Sequence, residues 1–321
     1  MLTISAEEIR DRLEWGPTID ALEQMFRQDC EMPTRHHHTL ADLGARSPVT
    51  LLMPAWIPGR YLGVKAVNVF PDNATLGKPA VSGVYLLFSG ETGEILAVLE
   101  GGELTARRTA AASALAARFL ARPDAARLLV VGTGRLSRNL AMAHSAVRPI
   151  RRVEIWGRRP ERAAAVAQEL RRAGLDAHPV ADLARAVREA DVISCATLSA
   201  TPLVRGEWLR PGTHLDLVGG FTPMMREADD EAVRRASVFV DTRAGAMKEA
   251  GDIVVPMGNG TLAADGVRAD LYDLARGAHR GRARPDEITL FKSVGSALED
   301  LAAAILVYER SIEPLKPRDA V

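Results

Sequence analysis

The stretch LLVVGTGRLSRNLAMAHSA, residues 128–146, constrains this chain most. An apolar run of strand length ends at Gly132, and an amphipathic helical run opens at Arg135. Gly132, Gly134 and Ser137 stand on a G-x-G-x-x-S pattern, with Arg135 and Leu136 beside Ser137 in the opening helical turn. The first glycine permits a tight turn. The second lets a pyrophosphate approach backbone N–H groups at a helix N-terminus. A bare G-x-G is weak. The strand before it, the helix after it and a second apolar run at 152–156 supply the context of a dinucleotide site. The competing reading is a glycine-rich turn in an α/β domain that binds no nucleotide.

The residues around this motif extend the pattern. RLLVVG, RVEIWG, DVISCAT, THLDLVGG and SVFVDT read as buried strands, and PERAAAVAQELRRAG and DLARAVREA between them read as helices. Short apolar runs alternating with helices predict a Rossmann-type, doubly wound parallel sheet. The first hundred residues differ. Residues 3–30 pattern as helices, with SAEE at 5–8 as a capping box. Residues 33–100 read as strands and turns of a mostly antiparallel sheet, and 104–121 as an Ala-rich helix ended by Pro123. SVGSALEDLAAAILVYERSI reads as one long amphipathic helix. The expected fold class is α/β with a second, α+β domain. The expected division is residues 1–115 with 294–321 for substrate binding and dimerisation, and 116–293 for the dinucleotide.

The end of the second strand of the Rossmann unit reads VEIWGRRPER. NAD sites place an acid there to bind the ribose 2′-OH; here Gly157, Arg158 and Arg159 follow the strand. Guanidinium groups bind a 2′-phosphate bidentately, so the expected cofactor is NADPH, with NADH possible. The alternative for Arg158 and Arg159 is solvated surface charge.

Bulk composition mainly excludes. Lys+Arg and Asp+Glu are both 41 in 321 residues, so the balanced charge predicts no attraction to nucleic acid or to an anionic membrane. Cys30 and Cys195, far apart, fit a reducing cytoplasm rather than a disulfide framework. There is no signal-peptide pattern and no apolar run long enough to span a membrane, so the expected location is cytoplasmic. His36, His37 and His38 alternate faces if extended and make poor co-ligands, so no metal is expected.

Basic residues are nearly all arginine; lysine occurs only at 65, 78, 248, 292 and 316. Lys65, inside LGVKAVNVF, is therefore conspicuous. Alternation puts Gly63, Lys65 and Val67 on one strand face. If that face is covered, Lys65 needs an anion; otherwise it is an edge lysine facing solvent. Arg107 and Arg108 in LTARRTAA lie at an expected helix start, where backbone N–H groups and a guanidinium form a carboxylate cradle. Their alternative is ordinary helix surface.

The stretches MPAW, GVKAVNVFPDN, LTARRTAAASALAA, VVGTG, ADVISCAT, GEWLRPGTHLDLVGG, MREADDE, VFVDTRAGAMKEAGD and TLFKSVGSALEDLAAA resemble the ornithine cyclodeaminase/μ-crystallin family, in order and over nearly the whole chain. The resemblance implies a homodimer acting on a small substrate. It assigns Arg35, Lys65 and Arg108 to the substrate carboxylate and reacting nitrogen, and Thr197 and Ser293 to the cofactor's surroundings.

One position departs from the family's pattern. Ornithine cyclodeaminases carry an aspartate after the Gly-Gly of this strand, where this chain has Phe221 in GGFTP. A phenyl ring neither accepts a proton nor activates water. The stretch HLDLVGGFTPMMREADD resembles the branch that reduces cyclic ketimines, Δ1-pyrroline-2-carboxylate to L-proline and Δ1-piperideine-2-carboxylate to L-pipecolate. That implies proline or pipecolate (lysine) metabolism, with Phe221 as an apolar wall of the substrate pocket. The alternatives are an ornithine cyclodeaminase, an alanine-type amino-acid dehydrogenase, or a μ-crystallin-like small-molecule binding protein without catalysis.

Overall fold

The computed structural model describes residues 1–44 and 47–312; the tail of the expected substrate domain, 313–321, lies outside the described residues. The chain divides into two units, Met1–Arg108 with Ala297–Val321, and Thr109–Ser296.

The first unit begins with a short strand, β1 (Leu2–Ile4), where the sequence pattern suggests helix from residue 3. Leu2–Ile4 lies parallel to a later strand of the sheet, and that pairing overrides the local pattern. Ser5 then opens α1 (Ala6–Arg12) with a capping box. The Glu8 N–H donates to Ser5 Oγ, and the Ser5 N–H donates to a Glu8 carboxylate oxygen. Helix α2 (Trp15–Arg27) buries Ile19, Leu22 and Phe26 along one stripe. The sheet continues with β2 (His36–Thr39), β3 (Val49–Ile57), β4 (Tyr61–Val69), β5 (Val81–Ser89) and β6 (Ile95–Glu100). Among the described residues its order is β1-β6-β5-β4-β3-β2, antiparallel except for β1 against β6. Helix α3 (Gly101–Leu120) follows, and the division between units falls inside it.

The second unit alternates strands and helices: β7 (Arg127–Val131), α4 (Arg135–Val147), β8 (Arg152–Trp156), α5 (Pro160–Arg172), β9 (Ala177–Pro179), α6 (Leu183–Glu189), β10 (Val192–Cys195), β11 (His214–Leu217), α7 (Asp230–Arg235), β12 (Ser237–Val240), α8 (Arg243–Glu249), α9 (Gly251–Gly258), β13 (Val267–Asp270), α10 (Leu271–Ala275) and β14 (Thr289–Lys292). All pairings are parallel, in the order β13-β12-β14-β11-β10-β7-β8-β9. The chain winds from β7 to one side, then restarts at β10 on the other. The crevice between the ends of β7 and β10 is thus the topological switch point, where doubly wound sheets bind ligands. Strand β11 carries a fully buried Asp216. It accepts from Ser113 Oγ at 3.1 Å and Ser194 Oγ at 2.6 Å, and lies 3.2 Å from His144 Nε2, so its burial is compensated.

Helix α11 (Ala297–Ile312) returns to the first unit and packs on α2 and on β3, β4 and β5. It begins at Ala297; Ser293–Ser296 is an irregular loop rather than part of the helix. No helix among the described residues is long and apolar enough to cross a membrane.

Candidate active site

Helix α11 covers the β4 face that carries Gly63 and Lys65. Lys65 is 2 % exposed, and the anion it meets is Asp300, in the first turn of α11, with Nζ 2.6 Å from Oδ2. Arg108 binds the same helix. Its Nε donates to Asp300 Oδ1 at 2.8 Å and its Nη1 to Glu299 Oε2 at 2.7 Å. Asp300 and Glu299 are fully buried, and the N-terminal end of α11 favours their charge. Burial pushes the Lys65 ammonium down from its usual value. Asp300 opposes the shift, Arg108 and Arg35 add to it, and the balance lies at about 8. Burial also works against the Arg108 guanidinium, but Asp300 and Glu299 outweigh it and hold the pKa above its usual value. Two cations, Lys65 and Arg108, therefore face two carboxylates, with Arg35 near enough to act on Lys65.

The helix-start cradle expected at Arg108 is not how this site is built. Helix α3 starts at Gly101, and Glu100 caps it through the N–H groups of Gly102 and Glu103. Arg108 lies well inside the helix, where backbone N–H groups are already spent, so its guanidinium alone binds anions. Arg107 points away: its Nη1 donates to Leu13 O at 3.0 Å, and its guanidinium lies over the Trp15 ring at 4.6 Å. Arg35 is half-buried just before β2, near enough to Lys65 to affect its protonation. His36, His37 and His38 form exposed edge strand β2, with the His36 and His38 rings 6.3 Å apart. Tyr85 is paired directly opposite Lys65 and is fully buried. Its hydroxyl would lie 2.0 Å from a Cβ at position 63, so only glycine fits there.

In the second unit a cleft of about 430 Å³ opens at the switch point, lined by Gly132–Gly134, Trp156–Arg159, Arg162 and Ala196–Thr201, among others. Gly132 has φ +127°, and a Cβ there would meet Ala196 O at 2.6 Å; the turn requires glycine. Gly134 is the N-cap of α4. No side chain caps the helix, and nothing lies within 4 Å of where a Cβ would stand. The residues therefore fit a dinucleotide: close backbone approach, uncapped helical N–H groups and room for a pyrophosphate. Arg135 is exposed and Leu136 half-buried in the first turn of α4. Ser137 is buried and donates to Gly132 O at 2.9 Å, so its hydroxyl locks the turn. Arg158 and Arg159 are exposed at the end of β8, beside Arg162. Among the described residues the lining of this cleft holds three arginines and no carboxylate.

The strand ends are braced by buried acids. Glu227 accepts from the Thr197 N–H at 2.6 Å, Thr197 Oγ1 at 2.8 Å and the Gly219 N–H at 2.7 Å, tying the end of β10 to the end of β11. Burial raises the Glu227 pKa; Lys292 counters this and Asp252 adds to it. Lys292 is fully buried, donates to Leu217 O at 3.0 Å and lies 3.7 Å from Asp252 Oδ2. Ser293, just beyond, is buried, and its hydroxyl has no partner in the protein among the described residues. Phe221, two residues past Gly219, is 43 % exposed.

Asp300, Glu299, Tyr85 and Arg162 were not identified from sequence. The signal for the first two is present: an adjacent acid pair in the otherwise apolar SALEDLAAA. Acids in a helix's first turn ordinarily face solvent, which hides them.

Comparison with known proteins places this geometry. Residues 3–314 match the ornithine cyclodeaminase/mu-crystallin family model. An uncharacterised Schizosaccharomyces pombe protein is 47 % identical over 95 % of this chain and 96 % of its own length. A Delta(1)-pyrroline-2-carboxylate reductase of Paracoccus denitrificans is 39 % identical over 94 % of each chain. Among solved structures, the Thermococcus litoralis Delta(1)-pyrroline-2-carboxylate reductase in complex with NADH and L-proline superposes with a TM-score of 0.92, at 33 % identity over 98 % of both chains. An archaeal alanine dehydrogenase dimer with bound NAD gives 0.89 at 30 % identity, over 97 % of this chain and 96 % of that one. The chain belongs to the ornithine cyclodeaminase/mu-crystallin family.

Proposed function

We propose that this protein is an oxidoreductase that uses a nicotinamide dinucleotide to reduce the C=N bond of small cyclic ketimines bearing a carboxylate on the imine carbon. The substrates are Δ1-pyrroline-2-carboxylate, giving L-proline, and Δ1-piperideine-2-carboxylate, giving L-pipecolate. The observation that carries the reading is the buried cluster of Lys65, Arg108, Asp300 and Glu299, with Arg35 nearby. Around Asp300 it brings together an ammonium and a guanidinium, the donors that a ring nitrogen and a carboxylate call for. The named activities of the pyrroline-2-carboxylate reductases support the same substrate class.

Arg108 commits Nε and Nη1 to α11, so a substrate carboxylate takes Nη2, with Arg35 as its second contact. Fixing the ring this way removes orientational freedom before the reaction, worth several kcal/mol of barrier. Lys65, with a pKa near 8, carries a proton at neutral pH and releases it more readily than an ordinary lysine. It protonates the ring nitrogen, making C2 electrophilic. When bound, the nicotinamide supplies the hydride for C2. Asp300 holds the Lys65 ammonium in place until the proton moves. Phe221 forms an apolar wall for the ring methylenes.

NADPH is the proposed physiological reductant. Arg158 and Arg159 at the end of β8, with no carboxylate in the lining, suit a 2′-phosphate. The protein is proposed to work as a homodimer; the archaeal alanine dehydrogenase is a dimer. Product analysis tests the activity: Δ1-pyrroline-2-carboxylate with NADPH should yield L-proline, and L-ornithine with NAD should yield no ammonia. Ammonia release without imine reduction would replace this reading with cyclodeamination.

A further inference from the structure

A second cavity, of about 540 Å³, lies in the second unit and plays no part in the reaction described above. Arg118, Arg122, Arg148, Arg282 and Arg284 line it, with Asp124 as the only acid in its lining among the described residues. Its position follows from its bonds. Arg282 Nη2 donates to Thr213 O and Thr289 Oγ1, just before β11 and at the start of β14. Arg122 binds Asp191, which accepts from the N–H groups of Ala126 and Arg127 at the start of β7. The cavity thus sits at the amino ends of the strands, opposite the dinucleotide cleft, roughly 16 Å away for a five-residue strand.

One of these arginines, Arg148, has no carboxylate acting on it, and a second, Arg282, is offset only by Glu287 and Asp124, which lie beyond ion-pair distance. Arg148 donates only to the carbonyls of Val147, Ala117, Arg118 and Ala121. Arg282 donates to the carbonyls of Leu120, Thr213 and Glu287 and to Thr289 Oγ1. Among the described residues no carboxylate forms an ion pair with either. By contrast, Arg122 has Asp124 at 3.3 Å and Asp191 at 2.8 Å, and Arg284 has Asp286 at 3.3 Å. Capping the C-terminal carbonyls of α3 accounts for most hydrogen bonds of Arg148 and for one of Arg282, but not for the charge of Arg148: a helix terminus offers only about half a unit charge. Burial lowers the pKa of both; Arg118 lowers that of Arg148 further, and on Arg282 the carboxylates of Glu287 and Asp124 oppose Arg122 and Arg148, the balance lying at about 10.

We propose that this cavity binds a phosphomonoester, its dianionic phosphate held by the arginines and its organic part lying on Phe119, Pro123 and Pro285. A compact anion matches a lining of five arginines and one carboxylate, and the guanidinium fork matches phosphate oxygens. The apolar walls favour an ester over the bare ion.

Calorimetric titration of the full-length protein with phenyl phosphate at low ionic strength tests this, with inorganic phosphate and potassium chloride as comparisons. Saturable binding of phenyl phosphate, at least threefold tighter than inorganic phosphate, is expected. With NADPH saturating the dinucleotide cleft, the double variant Arg118→Glu/Arg284→Glu should weaken it at least tenfold. Arg284→Glu alone, at a side chain 72 % exposed, should still weaken binding about threefold and keeps the test decisive if the double variant unfolds. Absence of binding, equal binding of inorganic phosphate, or binding abolished by saturating NADPH would each overturn the proposal.

Discussion

Lys65 Nζ lies 2.6 Å from Asp300 Oδ2, and both side chains are withdrawn from solvent. A lysine in the middle of a strand and an aspartate in the last helix are thereby joined across 235 residues of sequence, and the same aspartate holds Arg108. Removing one member of such a pair leaves a buried charge uncompensated. Asp300→Asn should destabilise the protein by about 3–5 kcal/mol in chemical denaturation. It should also push the Lys65 pKa further down, because burial, Arg108 and Arg35 then act unopposed. A stability loss below about 1 kcal/mol would show that the pair is not held as described.

The same lysine sets a pH dependence. If Lys65 gives the proton to the ring nitrogen, kcat/KM for imine reduction should fall as pH rises through about 8. The stability consequence has the opposite direction. Lys65 is deprotonated more easily folded than unfolded, so between about 8 and its unfolded value of 10.5 the unfolded chain binds more protons and its contribution to stability rises with pH. That contribution is lost as pH falls through 8. A kcat/KM profile flat from pH 7 to 10 would remove Lys65 from the proton-donor role.

Arg158→Glu/Arg159→Glu should raise KM for NADPH at least tenfold and leave KM for NADH nearly unchanged. A charge-assisted contact to the 2′-phosphate is worth about 1.5–3 kcal/mol, and a 2′-hydroxyl offers no charge to lose. Equal effects on both cofactors would mean that these arginines only shape the cleft.

If Phe221 lines the substrate pocket as proposed, Phe221→Asp should raise KM for either cyclic ketimine severalfold while NADPH affinity stays put, since a carboxylate would replace the apolar wall and repel the substrate carboxylate. An unchanged KM would show that Phe221, 43 % exposed, does not contact the ring.

The legible and illegible parts of this chain divide along physical lines. The switch-point motif was readable because strand, glycine turn and helix are local and each has its own residue preference. Lys65 was readable because a charge in a two-residue alternation contradicts its neighbours. Strand β14 was not identified as a strand. It is four residues long, ends in Lys292 and is buried on both faces, so it has no alternation to detect. Asp300 and Glu299 were missed because α11 is buried nearly all round, while its sequence suggests an amphipathic helix with acids at a solvated first turn. The position of Arg108 within α3 depended on Glu100, whose carboxylate caps two N–H groups and starts the helix at Gly101.

If the Lys65 cluster supports hydride transfer to a cyclic ketimine, the reaction has a direct optical readout. The most direct measurement is the decay of absorbance at 340 nm with NADPH and Δ1-pyrroline-2-carboxylate or Δ1-piperideine-2-carboxylate, for the unaltered protein and for Lys65→Ala. NADPH consumption by the unaltered protein is expected, with turnover reduced by orders of magnitude in the variant and NADPH binding intact. No consumption with either ring, or undiminished turnover in Lys65→Ala, would contradict it.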